Sequence, residues 1–303
     1  MKTLLVILIL CLWAPQGFAQ TGFSQTGRVQ ENASMHSHIL NANVGYAIYL
    51  PPGFDGAARR YPVIVLLHGA ADGQPADWFR FMATDRVLDR MINEGEIPPV
   101  IAVAPDGRRP NGDLRNTYFL NDADGGWLWE DMFLKEFIPY IDRFYPTIAT
   151  AESRTLLGIS MGGFAATVYH MRHPERFGAA AVLSGAFRTD DDTVQMQQPA
   201  FDLRFGGAFG AGLEGEARLN DAYRASDPAR LAETVVAKDV RLSMDVGAED
   251  PFFNGNAALH LALRNKSIPH RFVVREGGHE WSYWDSGLPD ALRFLSAHMR
   301  RRD

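Results

Sequence analysis

Five residues, Gly158-Ile159-Ser160-Met161-Gly162, constrain this chain more than any other stretch. A short strand, Arg154 to Ile159, leads directly into them, and a helix rich in small residues, Gly162-Gly163-Phe164-Ala165-Ala166, leads directly out. The pattern predicts a buried strand, a sharp turn with the serine at its apex, and a helix over Met161 to His170. Strand and helix meet so closely in such a turn that side chains larger than hydrogen at 158 and 162 would clash. The serine hydroxyl is then lifted above the sheet at a helix N-terminus, where backbone N–H groups and the helix dipole favour a developing negative charge.

The rest of the chain alternates strands with helices. Tyr61 to His68 and Val100 to Ala104 are continuous apolar runs, the mark of strands buried on both faces. Val44 to Leu50 alternates and is stopped by Pro51-Pro52-Gly53. Further strands are predicted over Gly178 to Leu183, Val240 to Val246 and Arg271 to Arg275. Helices are predicted over Thr84 to Asn93, Glu130 to Phe144 with a kink at Pro139, Asn256 to Asn265 and Pro289 to Met299. Residues 20–40 read as polar and irregular, 106–128 as a long loop, and 186–226 as a mixed stretch around Gly206-Gly207 that could serve as a partial lid. This alternation predicts an α/β fold, a mostly parallel sheet with helices on both faces. A chain of 303 residues permits two domains, but no compositional break divides it, so residues 20–303 are read as one domain.

A serine needs a base, and the base needs an orienting acid; the order expected on such a sheet is serine, acid, histidine. His260, His270, His279 and His298 all follow Ser160 at a useful distance. His279 comes after the strand Arg271 to Arg275 and a Gly277-Gly278 turn, which places it at the C-terminal edge where the groups of open α/β sheets gather. His270 precedes the same strand, and His260 and His298 lie in helices. Asp250, just past the strand Val240 to Val246, occupies the loop an orienting carboxylate should take. Glu249 is its first rival, and Asp245 reads as structural. His68-Gly69-Ala70 ends a buried strand, so the Ala70 N–H and the Met161 N–H are the expected oxyanion donors, with His68 in a supporting role.

The N-terminus reads as an address. Lys2 precedes an apolar run from Leu4 to Trp13, too short to span a bilayer, and Gly17-Phe18-Ala19 offers small residues to a signal peptidase. Residues 1–19 are therefore expected to be a signal peptide, with export to the periplasm or beyond. The bulky Leu10 argues against a lipoprotein anchor on Cys11, and no basic amphipathic segment suggests a membrane anchor. Apolar residues at 46% and charged residues at 22% exclude a disordered chain, a collagen or a polytopic membrane protein. A net charge of −6 argues against nucleic acid as the main partner, and a single cysteine excludes a disulfide framework or a cysteine-rich zinc site.

Taken together, YAIYLPPGFD at 46–55, RYPVIVLLHG at 60–69, GISMGGFAATVYHMRHPERFGAAAVLSGAF at 158–187, VGAEDPFF at 246–253 and GGHEWSYW at 277–284 resemble the esterase D-like branch of the α/β-hydrolases. That branch holds feruloyl and acetylxylan esterases, S-formylglutathione hydrolases, enterochelin-type esterases and bacterial mycolyltransferases. The resemblance implies an α/β-hydrolase fold and serine-dependent acyl-ester chemistry. The family's nucleophile, acid and base fall on Ser160, Asp250 and His279. It implies no cofactor and a small-molecule or carbohydrate-linked ester as substrate, and leaves oligomeric state open. An acyltransferase using the same triad, a peptidase, or a non-catalytic carbohydrate-binding descendant are the alternatives.

Trp127, Trp129, Trp281 and Trp284 could form a platform for a flat acyl group or a sugar, or could be core anchors. Asn121-Asp122-Ala123-Asp124-Gly125 resembles part of a calcium loop but lacks the closing glutamate, so no metal site is assigned. Asp190-Asp191-Asp192 reads as a solvated turn and Arg300-Arg301-Arg302 as a short basic tail.

Overall fold

The computed structural model describes residues 26–70, 72–110 and 112–299. The signal peptide expected over residues 1–19 and the basic tail over 300–302 lie outside the described residues.

One eight-stranded sheet organises the molecule, in the order β1-β2-β4-β3-β5-β6-β7-β8. The strands are β1 (Arg28–Ser37), β2 (Ala42–Leu50), β3 (Val63–Leu67), β4 (Ile101–Pro105), β5 (Arg154–Ile159), β6 (Ala179–Leu183), β7 (Leu242–Gly247) and β8 (Arg271–Arg275). β2 runs antiparallel to both β1 and β4, and every pairing from β4 to β8 is parallel. The helices are α1 (Asp77–Arg80), α2 (Thr84–Asn93), α3 (Trp129–Met132), α4 (Ile138–Phe144), α5 (Met161–Arg172), α6 (Asp190–Val194), α7 (Gln198–Phe209), α8 (Asp221–Ser226), α9 (Pro228–Leu231), α10 (Phe253–Asn265) and α11 (Trp281–Ala297).

The apolar runs become central strands because successive side chains serve two cores. Val63, Val65 and Leu67 of β3 enter the core beneath α5 and α10, while Ile64 and Leu66 enter the one beneath α2 and α11. The expected mostly parallel sheet with helices on both faces is the observed architecture.

Three local readings are corrected. The segment read as polar and irregular at first over 20–40 contains β1, an edge strand in which Met35 is the one large apolar inward residue, flanked by the small Ala33 and the polar Ser37. A bulge between Gln30 and Ala33 also breaks its two-residue period. The last helix begins at Trp281, eight residues before Pro289, with the proline inside it. Tyr283, Trp284, Leu288, Leu292 and Leu295 bury one face of that helix and offset the hydrogen bond Pro289 cannot make. The irregularity tied to Pro139 falls one turn earlier. There Phe133–Phe137 widen into a π turn in which the Ile138 N–H reaches the Phe133 carbonyl.

The stretch 186–226 is mostly helical. Phe201, Phe205 and Phe209 of α7 lie one turn apart and are buried. The Arg218 guanidinium gathers the carbonyls of Leu213, Thr193, Val194 and Met196 and so ties the segment together. Gly207 lets α7 approach the Arg109–Asp122 ion pair, which a Cβ there would overlap. Asp122 is thereby engaged by Arg109, and Asn121 and Asp124 accept from the backbone N–H groups of Asp131 and Gly126.

Candidate active site

Ser160 sits between β5 and α5 with φ 54° and ψ −118°, a conformation that L residues seldom hold. Its neighbours explain how it is kept. A Cβ on Gly158 would overlap the Gly162 carbonyl, and one on Gly162 would overlap the Leu67 carbonyl. The Ser160 N–H donates to Leu183 of β6 at 3.1 Å, and its carbonyl accepts from Ala186 at 2.9 Å. Backbone bonds to two sides thus hold a turn whose torsions are unfavourable alone.

His279 is aimed at this serine by the loop after β8. Gly277 takes φ 116°, and its N–H donates to the Glu249 carboxylate at 2.8 Å. The imidazole Nδ1 lies 2.9 Å from Asp250 Oδ2 and Nε2 lies 2.9 Å from Ser160 Oγ. A carboxylate only accepts, so Nδ1 carries the proton and donates to Asp250; Nε2 is left to accept from the serine hydroxyl. Phe252 and Trp284 stand edge-on to the ring, each with centroids 4.9 Å away.

Asp250 is 4% exposed. Burial alone would push its carboxyl up, but hydrogen bonds from His279 and from the Phe252 N–H at 2.8 Å hold it below the usual carboxylate range. The Ser184 hydroxyl lies against the same carboxylate, without a hydrogen bond of good geometry. The rivals are engaged elsewhere. Glu249 holds the Gly277 turn, and Asp245 is bound by Arg275 and the Tyr283 hydroxyl. His260 and His270 pair with each other at 2.7 Å, and His298 packs on Phe294.

The His68-Gly69 turn abuts the serine: a Cβ on Gly69 would lie 3.8 Å from Ser160 Cβ. His68 is buried and neutral, its pKa lowered mainly by loss of water. Its Nε2 accepts from the Gly107 N–H at 2.9 Å, so Nδ1 is the protonated nitrogen and donates to the Gly69 carbonyl at 2.8 Å. The ring clamps the turn that presents Ala70 to the loop after β4. Met161, the other expected donor, is the first residue of α5.

The tryptophans divide. Trp129 is a core residue rather than a platform: it is fully buried, stacks on Phe133 and donates Nε1–H to the Asp106 carbonyl at 3.0 Å. Trp281 is half-buried between Phe81 and Trp284, so Trp284 and not Trp281 meets the imidazole. Trp127 is half-buried and lines a cavity of about 470 Å³ with Asp72, Gln74, Asp106 and Arg108. Sequence reasoning missed Phe252, Tyr118 and Arg188. Phe252 carried a signal, since it follows Asp250 by two positions; the other two come near the site only through the fold.

The family model described as "Putative esterase" matches residues 37–295, and the chain belongs to that family. Its architecture is that of the α/β-hydrolases. Among its relatives, an esterase of Mycobacterium tuberculosis is 29% identical over 251 residues, covering 78% of this chain and 52% of the relative. The chain thus spans about half the length of that protein. An endo-1,4-beta-xylanase/feruloyl esterase of Xylanibacter ruminicola is 31% identical over 149 residues, which is 46% of this chain and 19% of that one. Among solved structures, a ferulic acid esterase superposes with a TM-score of 0.75 at 28% identity, covering 90% of this chain and all of the other. An S-formylglutathione hydrolase from Agrobacterium tumefaciens shares the fold with a TM-score of 0.69 at 18% identity, covering 90% of this chain and 95% of the other. No helix among the described residues is long and apolar enough to cross a membrane.

Proposed function

We propose that this chain hydrolyses carboxylic esters through an acyl-enzyme on Ser160. The observation that carries the reading is the unbroken hydrogen-bonded line from Ser160 Oγ through the His279 imidazole to the buried Asp250 carboxylate. Ser160 attacks the ester carbonyl as His279 Nε2 takes its proton. Asp250 fixes the tautomer and stabilises the imidazolium. The N–H groups of Ala70 and Met161 receive the oxyanion; the abutting His68-Gly69 turn and the helix N-terminus support that assignment. His279 then protonates the departing alcohol and activates the water that releases the acid. No step calls for a cofactor.

The described residues share one sheet, which supports a single catalytic domain. The similarity to a ferulic acid esterase and to a xylanase/feruloyl esterase favours a small or carbohydrate-linked ester, with Trp127 and its cavity as one wall of the substrate site. Export remains a proposal resting on residues 1–19. The test is hydrolysis of 4-nitrophenyl esters from acetate to longer chains by the wild type and Ser160→Ala. The variant should lose at least about 10⁴-fold in kcat with the fold retained. An unchanged rate would remove Ser160 from the mechanism; product transfer to an added alcohol in place of hydrolysis would make the enzyme an acyltransferase.

A further inference from the structure

Arg188 is a half-buried cation near the site that makes no ion pair among the described residues. The backbone just before it is tied to the serine through the bond from the Ala186 N–H to the Ser160 carbonyl. Its guanidinium carbon lies 4.6 Å from the Phe252 ring centroid and 5.0 Å from that of Phe205. Nη1 donates to the Tyr118 hydroxyl at 2.9 Å and, more weakly, to the Ala186 carbonyl at 3.3 Å. Each of these neighbours leads back to the site. Phe252 stands against the His279 ring, and Tyr118 stands edge-on to Phe164 in the first turn of α5 at 5.2 Å. The guanidinium is therefore no farther from the imidazole than those two Phe252 distances laid end to end, with the Phe252 ring in contact with both.

Half-buried Arg172, Arg230 and Arg275 each meet a carboxylate. Arg188 meets none among the described residues. Of the carboxylates that line an adjoining cavity with it, Asp190 and Asp227 are engaged by Arg230 and Glu233 by Lys266, while Asp191 lies in the first turn of α6 and makes no ion pair with Arg188. A cation drawn partly out of water without a counter-charge is costly. The two ring faces and one phenol offset only part of that cost. They also fix the head group, and Nε–H and Nη2–H donate to nothing among the described residues, a fork suited to a carboxylate. Tyr118 holds φ 50° while it accepts from Arg188, and backbone strain of this kind gathers where a structure is organised for a ligand.

We propose that Arg188 recognises an anionic group carried by the ester a few atoms from the scissile carbonyl. The preferred substrates are then half-esters of dicarboxylic acids or esters of acidic alcohols. This inference rests on the ester-hydrolysis reading above. The anion can sit on either half of the ester, and the test separates the two.

The experiment compares kcat/KM within two matched pairs, 4-nitrophenyl hemiglutarate against 4-nitrophenyl pentanoate, and 4-acetoxybenzoate against phenyl acetate. The readout is the ratio of charged to neutral ester, so a general loss of packing cancels. In the wild type that ratio should exceed about tenfold in one pair, the scale of a hydrogen bond to a charged group, and should fall with added salt. In Arg188→Gln it should drop to near one, and Arg188→Lys should keep part of it. A preference in the first pair places the anion on the acyl side, and one in the second places it on the alcohol. A ratio near one in both pairs for the wild type, or a preference that survives Arg188→Gln, overturns the inference while leaving serine-dependent hydrolysis intact. If Arg188→Gln does not fold, the wild-type ratio, its salt dependence and the lysine variant decide. Hydrolysis of neither ester, with no effect of Ser160→Ala, would instead sink the ester-hydrolysis reading itself.

Discussion

Ser160 combines positive φ with a side chain only the surrounding backbone can justify, and that strain is matched by the close approach of Gly158, Gly162 and Gly69 around it. The imidazole answers it from the far end of the chain, and Asp250 fixes the imidazole. Asp250→Asn should keep the packing but offer the ring a donor or a wrong tautomer, lowering kcat about 10³–10⁴-fold. Glu249→Gln should cost roughly tenfold or less, because the Glu249 carboxylate accepts from the Gly277 N–H behind the histidine and the backbone bond from the Glu249 N–H to the Gly277 carbonyl is kept. Steady-state kinetics on both variants check this; equal losses would mean that the acid has been assigned to the wrong carboxylate. At this scale the meeting of Ser160, Asp250 and His279 in one hydrogen-bonded line was legible, because chain order and strand ends limit which acid and which histidine can reach a serine on such a turn. Arg188 and Tyr118 were not. Their meaning lies in contacts across 70 positions of sequence, and no local pattern marks them.

The elements that were legible are those whose burial is one-sided in kind. β3 to β7 are buried along their whole length, and β3, β4 and β6 read as continuous apolar runs; α2 matches its expected bounds, Thr84–Asn93. β1 was hidden by having Met35 as its one large apolar inward residue and by its bulge, and the first half of α11 by Pro289, whose local preference loses to tertiary packing. The same elements predict where substitution is least tolerated. Gly162→Ala should destabilise by about 3 kcal/mol or more, or prevent folding, since the new methyl would overlap the Leu67 carbonyl of β3. Gly45→Ala, with nothing nearer than 3.7 Å, should fall within about 1 kcal/mol of the wild type. Urea unfolding of the two variants tests this, and similar midpoints would contradict the packing argument.

Across the whole molecule, the parallel strands deliver Ser160, Asp250 and His279 to one edge of the sheet, while buried histidines tie the layers together. His170 of α5 donates Nδ1–H to the Phe177 carbonyl at 3.1 Å and accepts the Arg241 N–H at 2.8 Å through Nε2. Burial lowers its pKa to about 4 from an ordinary 6.5. Between those values the unfolded chain binds a proton that the folded one refuses, so this contribution is intact above 6.5 and declines as pH falls toward 4. The loss should approach ~3 kcal/mol, and His170→Gln should show a flatter fall of the urea midpoint across that window. An unchanged slope would locate the acid sensitivity elsewhere. The central claim, a single serine activated by His279 and Asp250, is tested most directly on the intact protein by mass spectrometry after treatment with a fluorophosphonate. One adduct per chain is expected, mapped to the peptide holding Ser160, absent in Ser160→Ala and greatly slowed in His279→Ala. An adduct on another residue, or ester hydrolysis continuing after Ser160 is fully labelled, would contradict it.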